Sequence, residues 1–160
     1  KDDVLHEALL NSYRILPPRI YDFKKMMYTP GYAGEDFLNM DPYFISDKKK
    51  KEGICLSVKG LSNGAVAVLY PGVIKKLVEF MDGGFYVVFS SVHEALIYSS
   101  KLCSLEELEN LLRTSNARMT FQKEFLTDKV YYYCKEEDKF IMLRGSMKML
   151  VTTIRMDEEN

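Results

Sequence analysis

Apolar positions recur along this chain with two periods, and the changes from one to the other mark out its elements. Val4, Leu5, Ala8, Leu9 and Ser12 fall at three- and four-residue spacing, which predicts a helix over 4–14. Asp2 and Asp3 stand at the end where carboxylates favour the helix dipole, and Pro17-Pro18 closes it. Val73, Ile74, Leu77, Val78 and Met81 make one stripe opposite Lys75, Lys76 and Glu79, predicting a helix over 73–81 that Asp82-Gly83-Gly84 ends in a left-handed cap. Ser104 and Glu107 form a capping box ahead of Leu105, Leu108, Leu111 and Leu112, so a third helix is expected over 105–113.

Short β-rich runs fill much of the remainder. Ile54–Val58, Phe85–Phe89, Ala95–Tyr98, Val130–Cys134 and Lys139–Leu143 read as strands, the last two bracketing Glu136-Glu137-Asp138 as a hairpin. Ala65–Tyr70 is apolar at every position and reads as a central strand, joined to 54–58 through a tight turn at Asn63-Gly64. Val66, Val68 and Tyr70 would then share a face. Residues 19–52 have no clear period and carry turn signals at Thr29-Pro30-Gly31, Ala33-Gly34 and Asp41-Pro42, so a long irregular connecting segment with short helical pieces is expected. Residues 121–126 suggest a helical turn, and 147–156 a strand or a helical extension. The fold class that follows is α+β: a single domain over 1–160 with a mixed or antiparallel sheet of about five strands and helices packed mainly on one face.

Composition narrows the function classes. The chain has 160 residues, 47% hydrophobic and 28% charged, enough to bury a sizeable core without a disulfide or metal. Lys plus Arg (22) nearly balances Asp plus Glu (23), so the net charge of -1 provides no general field to steer nucleic acid or an anionic membrane. Nucleic acid and membrane are therefore not expected as partners. Cys55, Cys103 and Cys134 are odd in number and match neither a zinc ribbon nor a CxxC motif, which suits a reducing, cytoplasmic setting. No apolar run reaches the roughly 18 residues a membrane span needs.

Few residues carry candidate chemistry. Ser90-Ser91-Val92-His93-Glu94 is the one polar cluster set between two apolar strands. There His93 could act as a base, Glu94 could orient it and Ser91 could be the nucleophile. Against this, neighbours on an extended strand point to opposite faces, and a turn held by serine hydroxyls explains the composition equally well. His6 and His93 are the only histidines and neither sits in a metal-ligand spacing, so no metal and no cofactor is expected. Lys48–Lys51, Lys49 and Lys50 above all, could bind phosphate, or could be a solvated loop tip. Tyr131 and Tyr133 could stack on a base or a peptide, although strands favour tyrosine for packing alone. Asp22–Tyr28 has an amphipathic look suited to a partner's groove or to docking on the chain's own core.

The ordered series Leu61–Ile74 (LSNGAVAVLYPGVI), Gly84–Ile97 (GFYVVFSSVHEALI) and Asp128–Cys134 (DKVYYYC), preceded by Leu5–Ser12 (LHEALLNS), resembles a family of unknown function from gut Firmicutes. The resemblance runs over residues 3–143, with Phe89 standing where many relatives have proline. In that family the matching region is the C-terminal half of a longer protein, which implies that this chain is the C-terminal portion of one. The family supplies no activity, cofactor or catalytic residue. Two readings of function follow: a non-catalytic binding or protein-interaction module of a bacterial cytoplasmic protein, or a hydrolase or transferase centred on His93.

Overall fold

The computed structural model describes residues 2–116, 126–144 and 147–150. In chain order the regular elements are α1 (Asp2–Ile15), β1 (Pro18–Tyr21), α2 (Phe23–Tyr28), β2 (Glu35–Asp36), α3 (Asp47–Glu52), β3 (Ile54–Val58), α4 (Val73–Met81), β4 (Phe85–Val88), β5 (Ala95–Ser99), α5 (Leu105–Asn116), β6 (Val130–Cys134), β7 (Lys139–Arg144) and β8 (Met147–Leu150). Two 3₁₀ helices, Pro42–Phe44 and Gly64–Leu69, complete the set. The strands form one sheet in the order β2-β1-β3-β5-β4-β6-β7-β8, antiparallel at every pairing.

The sheet therefore has eight strands where about five are expected from the sequence. The strands at its two ends account for most of the difference. β1 and β2 lie inside the segment that the sequence presents as irregular, and neither is long enough to show a period. β8 answers part of the ambiguity over 147–156; residues 151–156 and 121–125 lie outside the described residues.

A second correction concerns Ala65–Tyr70, which is wound into a 3₁₀ helix over Gly64–Leu69 and is not a strand. The expected 54–58/65–70 hairpin does not form, because both edges of β3 are already taken, by β1 and by β5. A run apolar at every position specifies burial but no period, so topology decides its conformation. Asn63 enters the helix at φ 55°, and Ala67 and Val68 turn into the core while Val66 stays partly exposed.

Alternation along the strands divides the core in two. Phe85 and Val87 of β4, Ala95 and Ile97 of β5, and Leu56 of β3 face a large cluster with Leu77, Phe80 and Met81 of α4 and with Val68 and Tyr70. Val88 and Tyr98 point the other way, to Leu108 and Leu112 of α5 and to Val130. The helices α4 and α5 thus cover opposite faces of the sheet, and Leu9 of α1 joins the α4 cluster. α4 spans the expected residues, and its cap is the predicted one with Asp82 itself left-handed at φ 55°. The capping box of α5 is also present: Ser104 N–H and hydroxyl donate to Glu107 Oε2 at 2.8 and 3.0 Å, and Glu107 N–H donates back to Ser104 Oγ at 3.3 Å. In α1 only Leu9 of the expected stripe is buried, whereas Val4, Leu5 and Ala8 are exposed.

Candidate functional site

The Ser90–Glu94 cluster lies in the loop between β4 and β5, and the structure engages its groups with the main chain or with one another. Ser57 Oγ, wholly buried on β3, donates to the His93 carbonyl at 2.6 Å, and Gly64 N–H donates to the same oxygen at 3.1 Å. Ala65 N–H reaches the Val92 carbonyl at 3.2 Å, and Asn63 N–H donates to His93 Nδ1 at 3.1 Å. One of these four bonds ties the 90–94 loop to β3 and the other three clasp it to the segment between β3 and α4. The clasp is tight: a Cβ on Gly64 would lie 2.0 Å from Ser57 Oγ and 2.7 Å from both the His93 carbonyl and Val58 N.

This geometry bears directly on the catalytic candidates. A neutral imidazole has one accepting nitrogen, and here that nitrogen, Nδ1, already holds a main-chain N–H. Ser91 Oγ accepts the His93 N–H at 3.0 Å, a local turn contact, and is buried. Glu94 accepts the Ser90 hydroxyl at 2.6 Å. On β3, burial, with a smaller contribution from the Glu94 charge, pushes the Cys55 thiol up to about 12. Neutral and enclosed, that thiol is no nucleophile at physiological pH.

The binding candidates are likewise drawn into the fold. Lys48–Lys51 occupy α3, where Lys49 pairs with Asp22 at 2.6 Å, Lys50 with Asp47 at 3.4 Å and Lys48 with Glu52 at 3.8 Å. Asp22 also caps α2, accepting N–H bonds from Lys24 and Lys25, and the Lys49 ammonium followed by the Lys25 N–H holds its carboxyl below the usual range. The lysine run is thus partly neutralised by carboxylates of its own and a neighbouring element. Tyr133 is buried and stacks on Phe85 at 5.1 Å, and its hydroxyl donates to Asp138. Tyr131 is partly buried, edge-on to Phe89 at 5.5 Å. The Tyr133 ring is thus taken up by Phe85, whereas Tyr131 keeps part of its surface exposed. His6 is exposed on α1.

Segment 23–44 behaves differently. Helix α2 has no buried residue, and Phe23, Met26, Met27 and Tyr28 are all exposed. In the 3₁₀ helix Pro42–Phe44, Tyr43 is 95% and Phe44 64% exposed. Between them β2 closes one end of the sheet, and Glu35, Asp36, Met40, Asp41 and Phe44 line an open cleft of about 210 Å³. Lys25 joins α2 to this cleft through a 2.8 Å ion pair with Glu35. The volume is below the roughly 300–1,000 Å³ of a typical small-molecule pocket. Sequence reasoning missed the cleft, though Asp22–Tyr28 within the same region gave a signal. Among the described residues no group of three or more His, Cys, Asp or Glu is placed to hold a metal, and no helix is long and apolar enough to cross a membrane.

Residues 1–135, from α1 through β6, match the model of DUF5688, a family of unknown function. The chain belongs to the DUF5688 family. The matched span includes the clasp, the cleft and every candidate site residue named above. No curated protein and no solved structure matches this DUF5688 chain.

Proposed function

We propose that this DUF5688 chain is a non-catalytic binding module that docks a protein partner through the surface of segment 23–44. The observation that carries the reading is the exposure of large aromatic and Met side chains there: Phe23, Met27 and Tyr28 on a helix that buries nothing, and Tyr43 and Phe44 beside the cleft. A folded chain gains nothing by leaving such groups in water, and aromatic residues and Met are the types enriched at protein interfaces. The Ser90–Glu94 cluster has a sufficient role as the clasp that fixes the β4–β5 loop. The setting in this reading is a cytoplasmic protein of gut Firmicutes, with residues 1–160 as one α+β domain at the C-terminal side of a longer chain.

In-cell photocrosslinking tests the reading. A photoreactive residue at Tyr28 or Tyr43 is expected to give the same adduct, absent when the probe sits at exposed Lys75 on α4 and lost with Met27→Glu. Equal crosslinking from Lys75, or no adduct from either aromatic position, overturns it. A hydrolytic activity lost on both Ser91→Ala and His93→Ala, with the fold intact, would favour the alternative centred on His93.

A further inference from the structure

We infer that the cleft beside β2 takes an extended, basic segment of a partner protein as an added β-strand. This rests on the docking reading above and names its partner's chemistry. Three features of the cleft point to the same occupant.

The first is the sheet edge. β2 is the terminal strand, paired on one side with β1 through Arg19 opposite Asp36 and Ile20 opposite Glu35. Its outward side has no strand partner among the described residues, and such an edge is a template for strand addition. The second is charge. Glu35 is compensated by Lys25, but among the described residues the Asp36 carboxylate accepts the Asn39 amide at 2.9 Å and the Asp41 carboxylate the Tyr43 N–H at 2.9 Å. Neither aspartate makes an ion pair among the described residues; Arg19 stands opposite Asp36 in the β1–β2 register without bridging to it, so both carboxylates flank the cleft without a direct counterion. The third is the apolar floor. Met40 is partly buried against the core, and Phe44 keeps most of its ring in solvent at the same cleft.

A lysine or arginine side chain satisfies the last two together, its aliphatic stem on Met40 and Phe44 and its charge between the aspartates. Alternate side chains of an added strand project to the same face, so basic residues at every second position suit the site. Nucleic acid and acidic peptides are repelled by the same carboxylates.

The experiment uses the whole chain, labelled with ¹⁵N, and three synthetic peptides of about eight residues. One alternates lysine with threonine and valine, one has glutamate for lysine, and one is the lysine peptide N-methylated on alternate residues. The lysine peptide is expected to shift amides of Glu35–Phe44 and to weaken with salt. The N-methylated peptide is expected to fail, since it keeps the charge and loses one edge of hydrogen bonds. Asp36→Asn, which keeps an acceptor for Asn39, and, independently, Phe44→Ala should each weaken binding, the former about tenfold, with unchanged melting. Shifts centred elsewhere, equal binding of the glutamate peptide, or equal binding of the N-methylated peptide overturns the inference. If the Tyr28 and Tyr43 crosslinks persist while the lysine peptide does not bind the cleft, docking stands and strand addition falls; if the crosslinks also fail, both fall.

Discussion

The Ser90–Glu94 loop and segment 23–44 both carry groups that suggest function, and they dispose of those groups in opposite ways. The loop brings two serines, a histidine and a glutamate together, and it is engaged through the Ser57 hydroxyl, the main-chain N–H groups of Asn63 and Gly64, and bonds among its own residues. Segment 23–44, with Asp22 just before it, uses Asp22, Asp41 and Lys25 for caps and an ion pair, and it buries Phe37 but leaves Phe23, Tyr28, Tyr43 and Phe44 in water. Reactive residue types in a cluster are thus a poor guide when the surrounding backbone needs their hydrogen bonds. Apolar groups that the fold declines to bury are the more informative sign, because exposure has no structural return.

The strongest way to break this contrast is at Gly64. Gly64→Val forces a side chain into Ser57 Oγ and the His93 carbonyl, and is expected to cost about 3 kcal/mol or more in urea unfolding. Gly31→Ala, in the other region, meets nothing within 4 Å and should cost only the strain of φ +75°, about 1 kcal/mol. Next in size, Ser57→Ala removes a wholly buried donor to the His93 carbonyl and should cost about 1–2 kcal/mol by the same measurement. His93→Phe, which leaves the Asn63 N–H without its acceptor, should cost about 1 kcal/mol. A neutral effect of both would show that the loop is not a clasp.

Alkaline titration sharpens the core side of the comparison. Burial pushes Cys55 and Tyr98 up to about 12 from 9.0 and 10.0, so both favour the folded state while neutral. Their contribution is complete below pH 9 and is lost as pH rises from there through about 12, since the unfolded chain releases those protons first. Cys55→Ala should flatten that decline in unfolding free energy measured against pH. The smallest expected effect is at Tyr43→Ser with Phe44→Ser, within about 0.5 kcal/mol in stability, while crosslinking at Tyr28 is lost. A large destabilisation instead would assign those rings to the core.

Legibility in the sequence followed the length and regularity of each pattern. α4 is readable to the residue because its stripe and its Asp82-Gly83-Gly84 cap agree, and the β6–β7 hairpin because Glu136-Glu137-Asp138 separates two β-rich runs. β1 and β2 are too short for any period, and Ala65–Leu69 has none to read. The candidate residues were visible as types, yet their roles were not: nothing in Ser90–Glu94 announces Asn63 or Ser57 as partners.

What the amino-acid sequence determined by itself is local: the helix caps of α4 and α5, the amphipathic stripe of α4, and the β6–β7 hairpin turn. Those are interactions between residues a few positions apart, and the chain's own spacing fixes them. The tertiary structure alone decided that β3 had no free edge for 65–69, that α4 and α5 cover opposite faces, that His93 is held by Asn63, and that Tyr43 and Phe44 are left outside. Each depends on contacts between distant segments, where competition for a sheet edge or for burial is settled only once the whole chain has closed.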